Sequence, residues 1–243
     1  MTPGRERCIR ASYTKRSARS GLWQNGFVTV SPSTEKALRR DARRNRERIV
    51  ASARALLARD GVSVSVEEIT RHAGVGMGTL YRHFPTKEDL VDAVLEEAFE
   101  AYVGLAREGL AADDAWTGLC TFLDQALSLH ASNLGLMDVV ATSEHGRARA
   151  QAMRERMRPL VRGLVERAQE QGTLRADLTA EDVPLVFWAA GRVIEMTAGI
   201  APDYWRRYLG ILLDGLRAEA ASPLPRAPLT QAELERSARR RDS

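Results

Sequence analysis

The sequence predicts an all-α protein, with a helix-turn-helix unit near the N-terminus joined to a larger helical body. Two observations carry that prediction. The run Ser65 to Lys87, SVEEITRHAGVGMGTLYRHFPTK, reads as two short helices joined by a glycine-bearing turn, then a proline stop and a fresh helix start. From Ile49 onward apolar residues recur at helical spacing, and no stretch alternates convincingly with period two. At 243 residues, 44% hydrophobic and 28% charged, the chain can bury a sizeable core as one large or two modest domains.

In chain order, residues 1–32 mix Arg, Ser, Gly and Thr without a helical period, and residues 1–40 are expected to be a basic, mostly disordered extension. Ser33 or Thr34 is placed to cap an early helical extension, and regular structure is expected from about Asp41. Ile49, Ala53, Leu56 and Leu57 fall on one face of a first helix that Gly61 ends. Arg43, Arg44, Arg46 and Arg48 crowd its first turns, where positive charge opposes the helix dipole, so something other than helix stability favours them there. Ser65 is a good N-cap for a second helix, with Glu67 and Glu68 in its first turn and Gly74 at its end. A third helix runs from about Met77 to Phe84, with Leu80 and Phe84 on one face, and Pro85 forbids its continuation. Thr86 opens a long fourth helix with Asp89 three residues on, a capping-box arrangement.

Beyond Gly109 only helical patterns follow, at about Asp114–His130, Asn133–Ala141, Arg147–Gln171, Thr179–Ile200 and Pro202–Ala221. Pro159 is expected to kink or split the third of these. Residues 222–228, SPLPRAP, read as a linker, and Thr230 to Arg241 as a charged, weakly helical tail. The domain boundaries expected are therefore 1–40, 41–88 for the helix-turn-helix unit, 89–221 for the larger helical domain, and 222–243.

The formal net charge of +4 hides an asymmetry. Residues 1–48 hold 13 Lys/Arg against 4 Asp/Glu, a net of +9, while the remainder carries a net of −5. A basic end on an acidic body suits a polyanion contacted from one end only. No apolar run approaches the roughly 18 residues needed to cross a bilayer. The N-terminus lacks the apolar core of a secretory signal, so a cytoplasmic protein with no membrane partner is expected. The two cysteines, Cys8 and Cys120, suggest neither a disulfide framework nor a metal site, and Cys120 falls in an apolar helical pattern.

A reading helix needs one face fixed by packing and the opposite face free for base edges and phosphates. In Met77–Phe84, Leu80 and Phe84 serve the first need, leaving Thr79, Tyr81, Arg82 and His83 for the second. Tyr81 and His83 suit phosphates, Arg82 a phosphate or the forked edge of a guanine, and Lys87 a phosphate at a helix start.

The segment from Arg48 to about Ala98 resembles the TetR family of transcriptional regulators, notably in IVASARALLARDG and AGVGMGTLYRHFPTKEDL. Weaker resemblance continues in GTLRADLTAEDV (172–183) and PDYWRRYLGILLDGLR (202–217). The resemblance implies a three-helix DNA-binding domain, a larger effector-binding domain, and a homodimer formed through the last two long helices. It also implies repression of a pseudo-palindromic operator in double-stranded DNA, released by a small molecule of unknown identity; the internal helices suggest a small apolar or amphipathic ligand, and no other cofactor is expected. Ser65 matches the capping hydroxyl of the second helix, and Thr79, Tyr81, His83 and Lys87 match positions that touch DNA. The sequence departs from the family where Gly76 replaces a common hydroxyl residue and Met77 a common polar one. Arg44, Gly76, Met77 and Arg82 complete the expected DNA-binding set.

Large or adaptable side chains of the internal helices, Trp116, Phe122, His130, Met137, Met157, Phe187, Trp188 and Arg192, are expected to line an effector pocket, with ordinary core as the competing assignment. Tyr204, Trp205, Tyr208, Leu209, Leu212, Leu213 and Leu216 repeat along the last helix as an expected dimer face. The four histidines show no metal-ligand spacing. An enzyme using His130, His145, Glu144 or Glu195 lacks any nucleophile elbow or phosphate loop, and catalysis is not expected. A sequence-indifferent DNA-binding protein remains the alternative.

Overall fold

The computed structural model describes residues 32–142, 144–219 and 221–241. Cys8, the apolar patch at 22–30 and most of the expected disordered extension lie outside the described residues, as do the side chains of Glu144 and His145. Every element among the described residues is helical apart from a single bridge between Leu174 and Arg217. The all-α expectation holds.

The first helix, α1 (Pro32–Asp60), begins well ahead of Asp41. Proline suits a first helical turn, because its missing N–H would have had no partner there. From Glu47 onward α1 buries Ile49, Val50, Ala53, Leu56 and Leu57. A single 3-10 turn, Gly61–Ser63, leads into α2 (Val66–Ala73) and α3 (Met77–His83). Then come α4 (Lys87–Ala111), α5 (Ala115–Ser132), α6 (Leu134–Thr142) and α7 (Glu144–Glu170). The chain closes with α8 (Asp182–Thr197), α9 (Trp205–Leu216) and α10 (Gln231–Arg241). It forms two units, Met1–Arg46 and Glu47–Ser243.

In the second unit α4 packs on α5 and α7, α5 on α7 and α8, and α8 on α9. The core follows the inward stripes: Leu90, Val94 and Leu95 of α4, Leu119, Leu123 and Leu127 of α5, and Val161, Leu164 and Val165 of α7. Two glycines let α4 and α5 touch backbone to backbone. A Cβ on Gly118 would stand 2.2 Å from the carbonyl oxygen of Gly109. The α6 helix lies against the 3-10 turn and the end of α1, where a Cβ on Gly135 would come 2.3 Å from the Leu57 carbonyl oxygen.

Helices α7, α8 and α9 depart from expectation. Pro159 sits inside an unbroken α7 with its own side chain exposed, between buried Met157 and Val161. The expected split does not occur. Helix α8 starts at Asp182, because the Asp182 carboxylate accepts from both the N–H and the hydroxyl of Thr179 at 2.8 and 2.9 Å and makes residues 179–181 a turn. Helix α9 stops at Leu216. There Arg175, buried and paired with Asp177 at 2.6 Å, donates to the carbonyls of Gly215 at 3.0 Å and Ser222 at 2.5 Å and turns the chain aside.

Candidate nucleic-acid interface

The turn between α2 and α3 is built from short-range hydrogen bonds. Ser65 Oγ accepts from the Glu68 N–H at 3.2 Å, and the Glu68 carboxylate accepts from the Ser65 N–H and hydroxyl, both at 2.9 Å. This reciprocal cap fixes the start of α2 and holds the Glu68 carboxyl below its ordinary range, chiefly through the Ser65 backbone N–H. At the other end Gly74 adopts φ +62, the left-handed conformation that glycine enters without steric cost. Its N–H reaches the Arg71 carbonyl at 3.3 Å, and Val75 N–H reaches the Thr70 carbonyl at 3.1 Å. Such a pattern closes a helix and reverses the chain within a few residues.

Helix α3 spans 7 residues and starts at Gly76 without a side-chain cap. Leu80, fully buried, and Phe84, 3% exposed, pin its inner face, so the helix is oriented by these two side chains and by the turn. Tyr81 and Arg82 stand exposed, Thr79 and His83 half-buried. The Arg82 guanidinium donates to Thr79 Oγ1 at 3.3 Å, which keeps Thr79 and Arg82 together on one face. Gly76 and Gly78 are exposed, and a Cβ added to either would meet nothing within 4 Å.

Other expected DNA-binding residues have partners of their own. Met77 is half-buried, its sulfur 3.6 Å from the Thr70 hydroxyl, whose proton goes to the Glu67 carbonyl at 2.9 Å, so Met77 packs α3 against α2. The Lys87 ammonium donates to the Val64 carbonyl at 2.7 Å and to that of Val62 at 3.4 Å, linking the start of α4 to the segment before α2. The Ser65 hydroxyl is used by its cap. Arg44 belongs to the first unit, where its guanidinium pairs with Asp41. Two residues outside the expected set lie on or against these elements. Gly78 lies bare on α3, and Arg48 donates to the Ala73 carbonyl at 2.5 Å at the end of α2. The basic run around Arg48 was visible in the sequence, but its partner 25 residues away was not.

The expected effector residues separate. His130 and Phe187 come together, ring centroids 5.5 Å apart edge to face, and Phe187 meets Tyr102 at 6.3 Å. Gly191 lies beneath the imidazole, where a Cβ would come 3.3 Å from Nε2. Tyr102 was missed, although it lies on the inward stripe of α4. Burial pushes its phenol pKa upward. Met137 and Trp188 are half-buried and Met157 is buried. Phe122 is buried at the close α4–α5 contact, and Trp116 is buried beneath the guanidinium of Arg217, 4.7 Å from its ring. Arg192 is exposed and paired with Glu195 at 2.7 Å, away from any interior. Burial raises the Cys120 thiol to about 11, which keeps it protonated near neutral pH. Among the described residues no group of three or more His, Cys, Asp or Glu is arranged to hold a metal, and no helix is long and apolar enough to cross a membrane.

Comparison with known proteins gives the same reading for both ends of the chain. Residues 49–94 match the family model described as bacterial regulatory proteins, tetR family. Residues 114–218 match that of the SbtR-like transcriptional regulator C-terminal domain. A TetR transcription regulatory protein from Mycobacterium vanbaalenii is 32% identical, over 74% of this chain and 99% of that one, with a TM-score of 0.58. A TetR-family regulator from Agrobacterium tumefaciens, 20% identical over 73% and 100% of the two chains, is alike in fold alone, with a TM-score of 0.62. An HTH-type transcriptional regulator from Staphylococcus aureus (strain USA300) is 40% identical over 67 residues, 27% of this chain. The match spans about a third (36%) of the length of that curated relative.

Proposed function

Because this chain belongs to the TetR family of bacterial regulatory proteins, we propose that it is a sequence-specific DNA-binding transcriptional regulator, a repressor released by a small-molecule effector. One observation carries the DNA-reading assignment. Helix α3 buries Leu80 and Phe84 while presenting Tyr81 and Arg82 to solvent on a short helix with a tightly bonded turn. Arg82 is the residue suited to a base edge, and Tyr81, His83 and Thr79 suit the flanking phosphates. Arg44 adds a phosphate contact from α1, and Lys87 adds one with whatever donor capacity its two carbonyl partners leave. Ser65 and Met77 serve by holding α2 and α3 in place, and Gly76 by keeping the start of α3 bare.

A homodimer through α8 and α9 presents two copies of α3 to the half-sites of a pseudo-palindrome. Met196, Ile200, Tyr204 and Ile211 support that interface, being 67%, 89%, 50% and 60% exposed. The Tyr102, His130 and Phe187 cluster is the place favoured for an apolar or amphipathic effector, since it sets one imidazole among aromatic rings between α4, α5 and α8. An effector that fits only the arrangement poor at binding DNA shifts the population and releases the operator.

Selection of bound duplexes from a random pool tests this function. The proposal expects one enriched pseudo-palindromic motif, bound about a thousandfold or more tighter than scrambled duplex. Uniform retention of all sequences identifies a sequence-indifferent DNA-binding protein instead.

A further inference from the structure

We propose that Arg48 is a positioning residue for DNA reading: its guanidinium clamps the C-terminus of α2 and so sets the angle at which α3 leaves the turn. The inference rests on the assignment of α3 as the reading helix.

Arg48 projects from α1, and its Nη2 donates to the Ala73 carbonyl at 2.5 Å and the Gly74 carbonyl at 3.4 Å. These carbonyls sit at the end of α2, where the helix has no further N–H to offer and its dipole favours a cation. The same guanidinium stands where the side chain of residue 74 would be, since a Cβ on Gly74 would come 2.9 Å from Nη2. Glycine at this position therefore answers two demands, the left-handed φ of +62 and room for Arg48.

The hydrogen bonds next to this contact pass toward α3. Gly74 and Val75 N–H groups are spent on α2 carbonyls, the Met77 sulfur packs against Thr70, and Gly76 opens α3 through its own carbonyl, which accepts from Thr79 N–H at 2.9 Å. With no side-chain cap, α3 takes its direction from the turn and from the buried Leu80 and Phe84. A cation fixed to both the last carbonyl of α2 and that of the turn glycine limits how far the turn can swing. An error of about 1 Å at the tip of a reading helix loses base contacts while leaving diffuse phosphate attraction in place. Arg48 thus acts on sequence choice through α3 without touching a base.

The test compares the wild-type chain with Arg48→Met, Arg48→Lys and Arg82→Ala. Two probes serve: the tightest duplex that wild type selects from a random pool, and a scrambled duplex of the same composition. Arg48→Met is expected to weaken the selected duplex about tenfold and the scrambled one less than about twofold. The slope of log affinity against log salt should stay unchanged. Arg48→Lys, which keeps a donor within reach of Ala73, is expected to recover part of the loss, and it also serves if Arg48→Met does not fold. Equal losses on both duplexes, with the salt slope reduced by about one, would make Arg48 a phosphate contact and overturn the inference. So would unchanged binding by both Arg48 variants while Arg82→Ala fails. If Arg82→Ala itself binds as wild type does, the assignment of α3 as reader falls first, and the two failures are told apart.

Discussion

At the scale of single residues, Gly78 makes the sharpest statement about a partner outside the protein. Nothing within 4 Å would oppose a side chain there, and glycine inside a helix costs about 0.5–1 kcal/mol relative to alanine. The fold alone is therefore better served by alanine. A close-passing DNA backbone would reverse that preference, since a methyl group on the outer face of α3 would hold it away. Gly78→Ala is accordingly expected to raise stability in urea by about 0.5–1 kcal/mol while weakening operator binding. Gain of stability with undiminished binding would show that the backbone of α3 does not approach DNA at Gly78. Residue roles were legible where they depended on near neighbours: the Ser65 and Thr86 caps, the Gly74 stop, and the buried pair Leu80 and Phe84. They were illegible where the partner came from elsewhere in the chain. Arg48 meeting Ala73, Lys87 meeting Val64, and Tyr102 meeting Phe187 all depend on packing that no local pattern encodes.

At the scale of elements, α2 depends on its cap and therefore on acid. Glu68 has its pKa lowered by hydrogen bonds from Ser65, so its ionised form favours the folded chain. That contribution is fully present above the ordinary glutamate pKa and is lost as pH falls through the lowered value. Chemical denaturation of Glu68→Gln against wild type should show the largest stability gap near neutral pH, closing on acidification; a gap constant with pH would mean the carboxylate charge is not what caps α2. Helix α4 joins this reading unit to the body, and an ionic ladder runs along its side. Arg149 reaches Asp92 at 3.1 Å and Glu96 at 3.5 Å, while Arg156 reaches Glu96 at 3.0 Å and also Glu100. The three carboxylates lie one helical turn apart on α4, and both arginines come from α7. Their exposure makes each pair worth little to stability, and together they mark the line along which α4 meets α7. Helix existence was legible from Ile49 to Leu216, where apolar spacing persists, but not in the polar first turns of α1, which fell in the expected extension. Helix ends were less so: the Arg175 staple that stops α9 and the packing that carries α7 through Pro159 are tertiary effects.

At the scale of the whole molecule, the apolar stripe of α9 divides in a way the sequence could not show. Trp205 and Leu209, expected on a dimer face, are buried in the chain's own core, while Ile211, absent from that expectation, is 60% exposed. Period alone marks a helix as apolar on one side, and which part of the stripe meets its own body depends on the angle at which α9 lies on α8. Ile211→Asp should shift sedimentation from dimer to monomer while leaving the helical circular dichroism of the folded chain unchanged; persistence of the dimer would place the interface elsewhere. A monomer would meet only one half-site and lose operator binding even with α3 intact. The central claim remains that α3 reads base sequence through Arg82, and binding of wild type and Arg82→Ala to a full set of single-base operator variants tests it most directly. Loss of discrimination at one symmetric pair of positions, costing wild-type binding roughly 1–3 kcal/mol per contact, is the result expected. Equal weakening on every variant, with base preference intact, would contradict it and leave Arg82 holding only a phosphate.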